Sequence, residues 1–289
     1  MSGVADDPVL LREATSWGVR LTLNRPAKLN ALSAELRDAL TEAIVDAAAD
    51  DAVRVIVIAG SGRAFCAGYD LSEAAPPTAW QWRDVLERDV RATLAIWSCQ
   101  KPVIAQVHGY ALAGGLELAM ACDLVVAAED AQLGEPEIRF GSAPVTLLMP
   151  FVIGQKKTRE LLLTGDLIDA AEAERIGLIN RVVPADRLAA EVDALADRLA
   201  RVPPDVMAPT KLMLNRAMDA AGFAAAVEMG LDLQAFVNMS ETAREFDAIV
   251  RADGLKAALA WRDRRYDERL AGSGTRAGPP SDRTSDPTP

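Results

Sequence analysis

The chain has 289 residues, half of them hydrophobic, with a formal net charge of −11 and a single histidine, His108. An acidic balance of that size disfavours nucleic acid and anionic membrane as general partners. No apolar run reaches the roughly 18–20 residues of a membrane span, and one imidazole excludes any mechanism that needs two. Cys66, Cys99 and Cys122 are an odd, sparse set without metal-ligand spacing, which predicts reduced thiols in a cytoplasmic protein and no metal site. Residues 1–8 are acidic and lack an apolar core, so no secretory signal is expected.

Residues 9–15 and 18–23 carry strand-like content with Trp17-Gly18 at the turn between them, and Asn24-Arg25-Pro26 breaks the pattern. Ser33 caps a helix running to about Asp50. Residues 53–59 read as a short buried strand that stops at Gly60-Ser61-Gly62, and residues 65–70 follow as a loop. A helix is predicted over 79–98 and a second buried strand over 103–107. Residues 108–113 connect that strand to a helix at Gly114, and 123–127 form a third strand. This alternation implies parallel pairing through helical crossovers. Beyond Pro144 the pattern predicts helices over 155–163, 170–175, 186–201, 205–220, 224–239 and 241–270, with one strand over 178–183. The Gly-, Pro- and Ser-rich residues 271–289 predict a disordered tail.

Gly114-Gly115-Leu116-Glu117-Leu118-Ala119-Met120-Ala121 is the segment richest in chemistry. An ionised carboxylate inside an apolar run is costly unless compensated. The glycines permit close backbone approach, and a helix starting there leaves its first N–H groups without intrahelical partners. One segment thus offers a main-chain donor at Gly114 and an acid/base group at Glu117. That pairing suits chemistry beside a carbonyl whose oxygen gains negative charge.

Several segments in order resemble the crotonase (enoyl-CoA hydratase/isomerase) superfamily. They are Asn24-Arg25-Pro26 with Asn30-Ala31-Leu32; Ala64-Phe65-Cys66-Ala67-Gly68-Tyr69-Asp70-Leu71; His108-Gly109-Tyr110-Ala111 through Cys122-Asp123; and Gly134-Glu135-Pro136-Glu137, ending in Gly141. Thr164-Gly165 and residues 173–180 continue the match, which spans roughly Leu10 to Leu270. The resemblance implies an α/β fold, a spiral of repeated ββα units with a C-terminal helical region. It divides the chain into a core over 1–203, a helical oligomerisation region over 204–270 and the tail over 271–289. It also implies an acyl-coenzyme A thioester as substrate, with no separate cofactor because coenzyme A is part of that substrate. Trimers or hexamers are implied through helices bearing Leu231, Phe236, Val237, Phe246 and Ile249.

Carried over position by position, the oxyanion-hole donors would be the amides of Tyr69 and Gly114, and the catalytic acids Glu117 and Glu137. The side chain of Tyr69 is expected on the surface, without a chemical role. Glu137 would take a proton from water as its oxygen attacks the β-carbon, and Glu117 would hold the same water. Glu135, in an extended chain beside Pro136, is expected to face away from Glu137. Arg25 and Lys28 are candidate contacts to the nucleotide phosphates, and Ala67, Gly68, Asp70, Leu71 and Val145 candidate substrate contacts. Val145 stands where the family has a glycine, which predicts a narrowed pocket. His108 and Cys66 read as structural. Trp80 and Trp82 are candidates for the acyl-pocket border. The reaction implied is hydration of an enoyl-CoA, with double-bond isomerisation, thioester hydrolysis or non-catalytic acyl-CoA binding as the alternatives.

Overall fold

The computed structural model describes residues 7–73 and 75–272. Nine strands lie in two sheets. The larger has the order β1-β2-β3-β4-β6-β9, built from Leu10–Thr15, Gly18–Leu23, Val55–Gly60, Val103–Val107, Leu124–Ala128 and Arg181–Val183. β1 pairs antiparallel with β2, and every later pairing in that sheet is parallel. The smaller sheet, β5-β7-β8, comprises Tyr110–Leu112, Gln132–Gly134 and Ile168–Asp169. It was not foreseen, because strands of two or three residues carry no readable period.

Alternation along the parallel strands feeds two apolar layers. Ile56 and Ile58 of β3 join the main core, while Val55 and Val57 point to the other face. There α8 (Leu188–Ala200) covers them with Leu188, Val192 and Ala196. The main core is closed by α1 (Ala34–Ala49), α3 (Arg91–Ser98) and α4 (Gly114–Ala121). Ser33 Oγ accepts from the Leu36 amide at the start of α1, as its position in the sequence suggests. All eight residues of α4 are buried, so that short helix has no solvent face.

Two predicted helices divide. Residues 79–98 split into α2 (Ala79–Asp89) and α3, where the Val90 amide turns to Arg88 O as well as Leu86 O. Residues 241–270 split into α11 (Glu241–Asp253) and α12 (Leu255–Gly272) at Gly254, whose φ of +84° suits glycine. Between them and α8 lie α5 to α7 (Met149–Val152, Gln155–Thr164, Ala170–Arg175) earlier in the chain, and α9 (Pro204–Ala220) and α10 (Phe223–Val237) after it. α10 places Phe223, Val227, Leu231 and Ala235 in the main core. Phe246 of α11 stacks on Phe140, so that residue closes the protomer itself. Ala271 and Gly272, expected in the tail, belong to α12; residues 273–289 lie outside the described residues.

Candidate active site

Two loops leave the C-terminal ends of neighbouring parallel strands, the edge where open α/β sheets hold their ligands. The loop after β3 carries Ala67 to Leu71, and the segment after β4 leads through β5 to α4. Main-chain bonds lace them: Phe65 N donates to His108 O, Cys66 N to Tyr110 O and Leu112 N to Cys66 O, each at 2.9 Å. The side of a third loop is closed by Asn30, which is fully buried and donates to Ser61 O at 2.9 Å and Ala64 O at 2.8 Å. Leu32 N donates to Gly68 O at 2.8 Å.

The loops touch at the residues proposed as donors. A Cβ on Gly68 would stand 2.7 Å from Ala113 Cβ and 3.4 Å from the Gly114 nitrogen. Among the described residues the Tyr69 and Gly114 amides donate to no protein acceptor. Ala113, just before α4, has φ +54° and ψ −131°, a strained conformation for a side-chain-bearing residue. It aims the first amides of α4 while its carbonyl accepts from Leu116 N and Glu117 N.

Three carboxyls converge beside this junction. Glu117, Glu135 and Glu137 are all buried, and the Oε2 atom of each has no hydrogen-bond partner. Glu117 Oε1 accepts from the Val145 and Thr146 amides, both at 2.8 Å. Burial raises the Glu117 carboxyl, and those two amides work against the rise. Burial, then the neighbouring Glu117, pushes Glu137 up to about 8. Glu135 is raised well above the usual range by burial, then by Glu137 and Glu117. As expected, Glu137 lines the cavity and Glu135 does not, but the extended chain that was to set them back to back is absent. Pro136 opens a 3-10 turn, Pro136–Phe140, where its missing N–H costs nothing, and the turn brings both acids inward. Glu135 itself does keep the non-helical backbone that a following proline favours, at φ −124° and ψ 81°.

This buried acid makes folding stability depend on pH. With Glu137 near 8 in the native state and 4.5 as its reference, the native chain binds more protons between those values. Stability is then complete below about 4.5 and declines as pH rises to about 8. The loss is on the order of a few kcal/mol. We expect the thermal midpoint to fall by roughly 5–10 °C from pH 5 to pH 8, and Glu135→Gln to flatten that fall. A midpoint rising over this interval would contradict the assignment.

A cavity of about 1060 Å³ opens on the site, with Ala67, Tyr69, Asp70, Leu71, Glu137 and Val145 in its wall. Lys28 stands at its rim, joined there by Arg63, an exposed cation that the motif reading passed over. Arg25 differs from expectation: its guanidinium pairs with Asp70 at 2.9 Å and donates to Ala31 O, so it braces the loop. Neither Arg25 nor Gly68 reaches the wall; Gly68 lies behind it, at φ +96°. Trp82 borders the cavity, whereas Trp80 is 84% exposed. A ring nitrogen of His108 is 2.9 Å from Gly62 O, and burial pushes the Cys66 thiol up to about 12, leaving it inert.

Two further side chains were missed. Arg37 of α1 lies 3.1 Å from Asp89 and 3.3 Å from Glu73, all three on the cavity wall. Burial raises Asp89 to about 6, opposed by Arg37. The signal was present: Arg37 falls on the same helical stripe as Leu40 and Ile44. Tyr69 also departs from its expected surface position, since its hydroxyl is buried and unpartnered, and its ring packs on Gly114.

Residues 17–250 match the family model described as enoyl-CoA hydratase/isomerase. The probable enoyl-CoA hydratase echA8 of Mycobacterium tuberculosis is 40% identical over 205 residues, covering 70% of this chain and 79% of the relative. The (E)-benzylidenesuccinyl-CoA hydratase of Thauera aromatica is 37% identical over 208 residues, covering 71% of this chain and 80% of the relative. The crystal structure of an enoyl-CoA hydratase/isomerase from Xanthobacter autotrophicus Py2 superposes with a TM-score of 0.86 at 40% identity, covering 89% of this chain and 98% of that one.

Proposed function

The chain belongs to the enoyl-CoA hydratase/isomerase family, and from that premise we propose that it adds water across the 2,3 double bond of an enoyl-CoA thioester. The observation that carries the reading is the convergence of two unpaired main-chain donors with buried glutamates of raised pKa. The thioester oxygen gains charge as water attacks, and preorganised donors at Tyr69 and Gly114 each lower that barrier by about 2.7–4 kcal/mol.

The hydrogen bonding supports one division of labour between the two acids, which the sequence left open, with Glu117 as the base. Two amides oppose the rise that burial gives Glu117, which assigns it the proton-accepting role, while Glu137, raised to about 8, keeps its proton at neutral pH. Glu117 then takes a proton from water as the oxygen bonds to the β-carbon, and Glu137 gives its proton to the α-carbon. The pair exchanges one proton to reset. No separate cofactor or metal enters this scheme; coenzyme A is carried by the substrate. Lys28 and Arg63 are our candidates for its phosphates.

The test is the loss of conjugated enoyl-thioester absorbance with short, long and branched acyl chains, with products identified by mass. Hydration adds water and isomerisation adds nothing. Absence of water addition with every chain would reject the reading. We place the reaction in the cytoplasm, on the strength of three free, buried thiols. Enzyme confined to a membrane or secreted fraction would contradict that placement.

We also propose a homotrimer or hexamer. Met213 and Leu214 of α9 and Met229, Leu233 and Phe236 of α10 are 57–68% exposed, a concentration of apolar surface that suits association. No single described helix is long and apolar enough to cross a membrane. Leu233→Glu with Phe236→Glu should shift the mass seen by light scattering from oligomer to monomer. A monomeric wild type would end this proposal.

A further inference from the structure

The ring of Tyr69 lies where the reacting end of a thioester must go. A Cβ on Gly114 would meet Tyr69 Cε2 at 2.6 Å and Cδ2 and Cζ at 2.9 Å, so the ring rests on the residue that supplies one oxyanion donor. Tyr69 is on the cavity wall, and so are its neighbours Ala113 and Val145, whereas Gly114 and Glu117 are not. Among the described residues the Tyr69 hydroxyl and the Oε2 atoms of Glu117 and Glu137 are inaccessible and lack a well-formed partner, the hydroxyl facing Glu117 and lowering its carboxyl. A buried polar atom left without a partner is expensive. Four such groups, counting Glu135, make this closed arrangement one that water or substrate would relieve.

We propose that the Tyr69 side chain is a gate over the oxyanion hole and Glu117, displaced into the cavity when a thioester binds. This rests on the acyl-CoA reading above. The cavity beside the ring offers the room, and the Arg37 guanidinium, 5.8 Å from the centroid of the closed ring, is a contact the ring gives up on opening. A closed ring lowers the apparent affinity for thioester by the fraction of molecules that are open. The same ring, with Ala113 and Val145, stands between the cavity and Glu117 on α4, whereas Glu137 reaches the cavity wall on its own. Arg37 from α1 and Asp89 from α2 are the other charged groups facing the hydroxyl. Removing the ring should therefore do two separable things: ease thioester entry, and hydrate Glu117 so that its raised pKa relaxes.

Tyr69→Ala removes the gate, and Tyr69→Phe keeps the ring without the hydroxyl. Calorimetric binding of butyryl-CoA, a saturated thioester that cannot be hydrated, should tighten about three- to tenfold in Tyr69→Ala and match wild type in Tyr69→Phe. The fall in thermal midpoint between pH 5 and pH 8 should be shallower in Tyr69→Ala than in the other two proteins. Unchanged or weaker binding by Tyr69→Ala overturns the gate, as does equal tightening by Tyr69→Phe. If none of the three proteins binds butyryl-CoA, the thioester reading falls. The pH slope then decides alone whether the ring covers Glu117: equal slopes in all three proteins overturn that as well.

Discussion

Glu117→Gln should lower kcat for enoyl-CoA hydration by roughly 10²–10⁴-fold while changing thioester affinity little. The substitution is nearly isosteric. A glutamine carbonyl oxygen at this position can still accept from Val145 N and Thr146 N, now at 2.8 Å from Glu117 Oε1. The local structure is thus retained and only the charge and the proton acceptor go. Glu137→Gln should fall by a similar factor through the other half of the transfer, because a neutral amide cannot release a proton to carbon. The double variant should be little worse than either single one, since groups that act as a unit are not additive. Variants that keep turnover within tenfold of wild type would exclude this pair from the chemistry. The pH profiles separate the roles. The limb that falls on the acidic side belongs to the ionised partner, and the limb that falls near 8 to Glu137. Loss of the alkaline limb in Glu117→Gln, and not in Glu137→Gln, would reverse the assignment.

Gly115→Ala should lower kcat by about 10²–10³-fold, the cost of losing one oxyanion donor, without touching any ionisable group. A Cβ at position 115 would stand 2.4 Å from Cys66 O, 2.8 Å from Cys66 Cβ and 2.9 Å from Cys66 C. Two of those atoms are backbone, and Cys66 O already accepts from Leu112 N at 2.9 Å, so neither side can yield cheaply. The expected response is separation of the β3 loop from the start of α4, which moves the Tyr69 and Gly114 amides apart. Overpacking of this kind costs about 1–3 kcal/mol of stability, a few degrees in the thermal midpoint. Near-normal kcat in a folded Gly115→Ala protein would show that the spacing of the two loops does not set the rate.

Much of the architecture was legible because the strands β2, β3, β4 and β6 are largely buried and read as apolar runs, with a helix in each segment between them. What escaped has local causes. β5, β7 and β8 are too short to show a period. The helix after Pro77 breaks at Val90, a residue that carries no stop signal. Pro136 was read for its effect on the residue before it and not for its own place at the head of a turn. In the site, the loops bearing Tyr69 and Gly114 were found through motif order. The Arg37–Asp89 pair was not, since one helical stripe shows that a cation is buried but not which distant acid meets it. The orientation of the Tyr69 ring was equally beyond reach, because it depends on contact with a loop joined only in three dimensions.

The groups proposed to receive charge on the thioester oxygen are peptide nitrogens, at residues 69 and 114. A peptide nitrogen is present whatever non-proline residue occupies the position. Changes at 69 to any residue other than proline therefore keep the donor and alter only what surrounds it. The side chain at 69 is free to diverge, and with it the choice of acyl group, on a template whose anion-receiving ability is inherited intact.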